Sequence, residues 1–292
     1  MKRVNEREAL ARWRTEAPAL VAALCQDWEL RVDGSAMAGE TASVVPVRTR
    51  GGEPAALKVG WPHLEAEHEH LALRTWAGNG AVRLLRADPR RSAMLLERAD
   101  PGHDLNQLPA REACEVVAGL YVRLHRPAVP QLTRLSEQAA RWTTTLAELR
   151  EMDVVPRRFV DQAGSLARGF ADDPATDGVL LHTDLHYANV LAAQREPWLV
   201  IDPKPMSGDP AYEVAPMLWN RWDEAVADGD PRGATLERMF TLVDLAGLDE
   251  DRVRAWVVVR MMVNAWWAIT SGAPDGATWL TQAVTLVKAV QR

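Results

Sequence analysis

The stretch VLLHTDLHYANVLAA, residues 179–193, with PWLVIDPKP close behind it at 197–205, limits this chain more than any other part. Two short apolar runs bracket a polar loop, the turn QREP follows, and a third apolar run ends at Asp202. Apolar runs of four to eight residues bounded by turn formers read as short buried strands. The pattern therefore predicts a strand, a loop and two strands about a turn, bringing Asn189 and Asp202 to one edge of a small sheet. The loop itself carries His182, Asp184 and His186 at alternate positions, with Asn189 five residues beyond Asp184.

Two chemistries use such a loop. His-x-Asp-x-His is metal-ligand spacing, but a zinc-type hydrolase needs further ligands, mainly histidine, to fill four or five positions. The chain has seven histidines and none follows His186. His63, His68 and His70 sit in HLEAEHEH among acids, which reads as a solvated helix face, so the metal set is left short. Phosphoryl transfer asks instead for cations on the phosphate oxygens, a carboxylate aimed at the hydroxyl, and magnesium on hard oxygen ligands. His-x-Asp, an Asn five residues after that Asp, and a strand ending in a second Asp supply that order. Asp184 is then the catalytic residue, Asn189 and Asp202 are the magnesium ligands, and His182 holds the loop.

This reading demands a strand lysine in the N-terminal part, paired with a helical glutamate. Of 34 basic residues only four are lysines: Lys2, Lys58, Lys204 and Lys288. Lys58 ends the apolar run in AALKVG, just before a helix-patterned stretch starting near Pro62 and stopping at Asn79-Gly80. Glu69 shares a helix face with Leu73 and Trp76 and is the expected partner, with Glu65 as the alternate. GSAMAGETASVV, between two strands, can cover a nucleotide with backbone amides, although it lacks G-x-G-x-x-G. No Gly-Lys pair occurs, which removes a Walker-type loop.

Around these motifs the periodicity divides the chain. Residues 5–24 are helix-patterned, 28–60 alternate with period two, AVRLLRAD and SAMLLERAD are two more strands, and 109–170 and 210–292 are mostly helical. Hydrophobic residues at 47% and charged residues at 25% fit a folded protein. A net charge of −6 disfavours general nucleic-acid or anionic-membrane binding and is compatible with a cationic ligand. Two cysteines make no disulfide framework, and the charged N-terminus lacks a signal-peptide core. The most apolar stretch, AWVVVRMMVNAWWAI, contains Arg260 and Asn264 and reads as a buried helix rather than a membrane span. A cytoplasmic protein is expected, and a monomer, since no sequence feature signals an interface.

Lys58, Glu69, LLERADPGHDL, HTDLHYANVL, VIDPKP and GDPAYEVAPMLWN together resemble the aminoglycoside phosphotransferase family over residues 30–225. The likeness is greatest to its branch of streptomycin 6-kinases and hydroxyurea-resistance kinases. The resemblance implies an α+β, protein-kinase-like bilobal fold. A small β-rich N-terminal lobe with one main helix, residues 1–97, would bind nucleotide, and a larger, mostly helical lobe, residues 98–292, would carry the catalytic loop and acceptor site. It implies ATP and Mg2+ as cofactors, and a hinge, ERAD, whose Glu97 and Ala99 meet the adenine through the backbone. It implies an acid after the magnesium strand that buttresses the catalytic loop, for which Asp209 and Glu213 are candidates. Glu213, Trp219 and Asn220 are further expected near the acceptor. Trp219, Trp222, Trp266 and Trp267 fall where an acceptor would bind, although tryptophan at helical spacing is more often core.

Three departures from the kinase pattern bear on function. His-Thr-Asp replaces His-Arg-Asp, and only a few residues separate Asp202 from GDPAYEVAP, leaving no room for an activation loop. Asp-Pro-Lys replaces Asp-Phe-Gly, keeping the metal ligand and placing Lys204 near the phosphates or at the surface. The expected function is ATP-dependent phosphorylation of a hydroxyl on an aminoglycoside-like, streptomycin-type molecule, conferring antibiotic resistance. A kinase for a sugar, amino alcohol or other small metabolite shares every catalytic residue. A catalytically silent kinase-like binding protein is the rival from another class, against which the complete set Lys58, Asp184, Asn189 and Asp202 argues.

Overall fold

A computed structural model describes residues 2–39, 41–63, 67–272 and 275–291. The chain divides into two compact units, one formed by Met1–Gly102 with Leu191–Pro203, the other by His103–Val190 with Lys204–Arg292. The sequence places the divide at residue 97. In the structure it falls after Gly102, and the segment ending in Asp202, expected with the helical part, joins the N-terminal unit.

The first unit opens with helix α1 (Lys2–Asp27) and continues through strands β1 (Arg31–Val32), β2 (Met37–Ala38), β3 (Ala42–Arg48) and β4 (Pro54–Gly60). Helix α2 (Glu69–Trp76) and strands β5 (Leu84–Asp88) and β6 (Ala93–Glu97) follow. β7 (Asp100–Asp104) spans the boundary. The sheet runs β1-β3-β4-β6-β5, with β2 also pairing β3. β4 is thus central, and Lys58 on it lies opposite Val44 of β3 and Met94 of β6. The side-chain period of two then decides what Lys58 can meet. Ala55, Leu57 and Val59 enter one core with Leu24 and Trp28 from α1 and its C-terminal end, so Lys58 points to the opposite face. The helix expected to begin near Pro62 begins instead at Glu69, and it stops at Ala77, which is left-handed at φ 49°, ahead of the expected Asn79-Gly80. Glu65 and residue 40 lie outside the described residues.

In the second unit α3 (Ala110–Leu124), β8 (Arg126–Pro127), α4 (Leu135–Met152) and α5 (Arg157–Asp172) precede β9 (Val179–Leu181). The hairpin strands β10 (Val190–Ala192) and β11 (Trp198–Val200) come next in the chain; β11 joins the first unit through a parallel bridge between Ala81 and Val200. The second unit resumes with β12 (Met206–Gly208) and helices α6 (Ala215–Trp219), α7 (Trp222–Ala227), α8 (Pro231–Ala246), α9 (Glu250–Thr270) and α10 (Gly276–Val290). β12, β9 and β8 form an antiparallel sheet, with Met206 opposite Leu181. Gly208 permits this close approach, since a Cβ there would stand 2.5 Å from Leu181 Cδ1 and 3.0 Å from Leu135. Buried Trp256 of α9 stacks on Phe170 of α5 at 3.7 Å between ring centroids. No described helix is long and apolar enough to cross a membrane.

Candidate active site

In the first unit the strand lysine, the helix glutamate and the hairpin aspartate converge. Lys58 Nζ donates to Glu69 Oε1 at 2.6 Å and Oε2 at 2.7 Å, and it also bonds Asp202. Lys58 and Glu69 are 7% and 2% exposed, whereas the Asp202 side chain is 46% exposed. Burial alone would push the Lys58 ammonium down, but the Glu69 and Asp202 carboxylates outweigh it and hold its pKa above the ordinary lysine value. Asp202 is itself left-handed, at φ 56°. Non-glycine residues adopt that conformation at a cost that the surroundings must offset.

The expected hinge is clamped within the same unit. Arg195, in the turn between β10 and β11, donates to both Glu97 oxygens at 2.9 Å and to Ala81 O at 3.0 Å. The backbone N–H of Arg83 adds a bond to Glu97 Oε2 at 3.0 Å. The Glu97 side chain is thus engaged, and a ligand there would meet backbone, at Glu97 and at the partly buried Ala99.

In the second unit Asp184 follows β9 and its carboxylate accepts from Lys204 Nζ at 2.5 Å. His182 is fully buried, and its Nδ1 accepts the Asp184 N–H at 3.2 Å, the loop-holding role expected of it. Asn189 is 8% exposed; its Nδ2 donates to Asp184 O at 2.9 Å and lies 3.2 Å from His186 Nε2. His186 Nδ1 accepts from Ala188 N at 3.3 Å and so caps the single helical turn Tyr187–Asn189. The two histidines of the alternation therefore bond backbone and amide groups, and its aspartate bonds the Lys204 ammonium. Among the described residues no group of three or more His, Cys, Asp or Glu is arranged to hold a metal ion.

Glu213, expected near the acceptor, is completely buried. Its Oε1 accepts the Thr183 N–H at 2.6 Å and its Oε2 pairs with His125 Nε2 at 2.9 Å. Burial would raise its pKa, but the bond and charge of His125, the charge of His182 and the Thr183 N–H lower it below the ordinary glutamate value. Through these bonds Glu213 braces the loop that follows β9. Asp209 is also structural, accepting from Ala211 N, Arg252 Nε and Trp256 Nε1.

Thr183, between the two motif residues, is left-handed at φ 64° and is held at every polar group. Beyond the Glu213 bond, its carbonyl accepts from Arg260 at 3.1 Å and its hydroxyl donates to Lys204 O at 2.6 Å. Arg260 lies over the rings of Tyr212 at 4.1 Å and Trp219 at 4.6 Å. Trp219 thus packs beneath a buttress residue, and Asn220 Nδ2 is bonded to Pro216 O at 2.9 Å. Sequence reasoning missed Arg260, His125 and Arg195. Only Arg260 left a signal, as the one charge in the largely apolar stretch AWVVVRMMVNAWWAI, which demands a partner. Contrary to the core expectation, Trp219, Trp222 and Trp266 are partly exposed and Trp267 is 52% exposed.

Comparison with known proteins decides the relationship. The family model for aminoglycoside/hydroxyurea antibiotic resistance kinases matches residues 27–272. The chain belongs to this family. It is 38% identical to a streptomycin 6-kinase of Streptomyces glaucescens over 288 residues, covering 96% of this chain and 91% of that protein. It is 41% identical to a hydroxyurea phosphotransferase of Kitasatospora aureofaciens over 87% of this chain and 74% of the relative. Among solved structures, a thermostable mutant of aminoglycoside phosphotransferase APH(4)-Ia in a complex with ADP and hygromycin B aligns with TM-score 0.61 at 19% identity, over 92% of this chain and 97% of that one. A choline/ethanolamine kinase family protein of Mesorhizobium loti aligns with TM-score 0.60 at 15% identity, over 89% and 88%. The fold is accordingly the protein-kinase-like one that the family resemblance implies, and this family member is a small-molecule kinase.

Proposed function

We propose that this kinase uses ATP and magnesium to phosphorylate a hydroxyl of a streptomycin-type aminoglycoside, and so inactivates it. The observation that carries the chemistry is the buried Lys58 ammonium held between Glu69 and Asp202. Such a lysine is suited to the α- and β-phosphates, with Glu69 fixing its position. Backbone at Glu97 and Ala99 is the proposed adenine contact. Identity to streptomycin 6-kinases supports the acceptor class.

Asp202 and Asn189 would hold magnesium. A part-exposed carboxylate and an amide whose nitrogen is already bonded to Asp184 O each offer a hard oxygen donor. A set this small suits an ion that completes its shell with water and substrate phosphates. The ion would supply charge neutralisation at the phosphate oxygens. Asp184 accepts the hydrogen bond of the acceptor hydroxyl and aims its oxygen at the γ-phosphorus. The buttresses Glu213, His125 and Arg260 hold the loop so that no reorganisation is needed at transfer.

The test is ADP release by purified protein against streptomycin, other aminoglycosides, hydroxyurea, sugars and amino alcohols. Streptomycin-dependent turnover is expected, falling about 10²- to 10⁴-fold in Asp184→Ala while nucleotide binding survives. Turnover that persists in Asp184→Ala would sink the mechanism. The 41% identity to a hydroxyurea phosphotransferase favours hydroxyurea as the second acceptor, and a larger kcat/KM for it would reassign the substrate.

A further inference from the structure

The four lysines of this arginine-rich chain are unevenly placed. Two lie near the ends, at residues 2 and 288, and the two internal ones each bond an aspartate of the candidate site. Lys58 bonds Asp202, and Lys204 Nζ stands 2.5 Å from Asp184 Oδ2. An arginine fork binds one carboxylate side-on, whereas an ammonium is a compact charge with three donors that can serve two oxygens at once.

The backbone at Lys204 is fixed as firmly as its side chain is accessible. Its N–H donates to His182 O at 3.0 Å and its carbonyl accepts from Thr183 Oγ1 at 2.6 Å. The Lys204 side chain keeps 35% exposure and Asp184 keeps 24%, so a ligand can reach the pair. The loop HTDLHYANV contributes no lysine or arginine of its own beside Asp184. Lys204, from the following strand connection, brings that charge.

We propose that Lys204 is a further catalytic residue, whose ammonium contacts the oxygens of the transferring phosphoryl group while it holds Asp184. This rests on the kinase reading above. Geometry allows the contact. An acceptor oxygen hydrogen-bonded to Asp184 lies roughly 2.6–3.2 Å from a carboxylate oxygen, and the phosphorus it attacks lies about 3–3.5 Å further. A cation touching the same carboxylate from the acceptor's side can then reach the equatorial phosphoryl oxygens. In the step, the acceptor oxygen bonds to the γ-phosphorus as the bond from phosphorus to the β-phosphate bridging oxygen breaks. That electron pair leaves with ADP, the hydroxyl proton passes to Asp184, and Lys204 keeps its three protons throughout. Its fixed charge offsets the negative charge of the oxygens in the transition state.

The experiment titrates magnesium-ADP and magnesium-AMP-PNP into wild type, Lys204→Met and Lys204→Arg, with Lys204→Gln in reserve should the Met variant misfold. AMP-PNP binding is expected to weaken about tenfold or more in Lys204→Met, ADP binding to stay within about twofold, and Lys204→Arg to recover part of the loss. With streptomycin as acceptor, kcat should fall about 100-fold while its KM moves less than about threefold. Equal weakening of both nucleotides, or no weakening of either, overturns the assignment. Failure of the acceptor reading shows separately, as wild type that binds AMP-PNP but phosphorylates no compound in the panel; the nucleotide ratio still decides Lys204. Wild type that binds no nucleotide overturns both.

Discussion

Two lysine–aspartate centres, one in each unit, use similar groups for opposite ends. In the first, Lys58 is sealed between two carboxylates and is 7% exposed. In the second, Lys204 bonds Asp184 and is 35% exposed at its side chain. A buried ion pair is fixed, because removing one member strands the other's charge in a poor solvent. An accessible pair is worth little to folding and can share its ammonium with an incoming anion. The first centre therefore positions, and the second is free to react.

The largest effect that can break this contrast is on Lys58. Lys58→Met should cost roughly 3–5 kcal/mol in denaturant unfolding, because the buried Glu69 carboxylate loses the ammonium that pairs with it. Since the folded pKa of Lys58 is raised, its contribution is complete below the ordinary value of 10.5 and is lost as pH rises through the higher folded value. The alkaline limb of the stability curve should flatten in the variant. A cost below about 1 kcal/mol would place both centres in one class.

A smaller effect tests what holds the open centre in place. Glu213→Gln should cost about 1–3 kcal/mol at neutral pH by weakening the bonds to Thr183 and His125. The Glu213 pKa is lowered, so its stabilisation is present above the ordinary value of 4.5 and lost as pH falls through the lower folded value. Acid titration followed by circular dichroism should show that limb in wild type and not in the variant. The smallest change belongs to Lys204→Met, with unfolding free energy within about 1 kcal/mol of wild type despite its loss of turnover. A larger loss would make Lys204 a structural residue like Lys58 and end the comparison.

Much of the site was legible because the chain places it covalently. Asp184 and Asn189 share a loop, and Asp202 follows one hairpin later. Lys58 was legible by its rarity and by the period of its strand, and Glu69 by the apolar face it shares with Leu73 and Trp76. The start of α2 was misread, since Pro62 suits a first helical turn on propensity alone, whereas the structure keeps residues 61–63 out of the helix. Glu213 was suspected both as a buttress and near the acceptor, because its place in the sequence gives its distance from the loop but not its burial. Trp219 and its neighbours show the same limit, their helical spacing fixing a face without saying what covers it.

The sequence by itself determined the chemistry available, through the identities and order of Lys58, Asp184, Asn189 and Asp202. Tertiary structure alone decided who supports them. His125 reaches Glu213 across 88 positions, Arg260 reaches Thr183 across 77, and Arg195 reaches Glu97 across 98. Lys204 meets Asp184 only because β9 and β12 pair in the register that sets Met206 opposite Leu181. Local periodicity encodes which side of a strand or helix a residue occupies. The packing of distant elements selects the side chain that arrives to meet it.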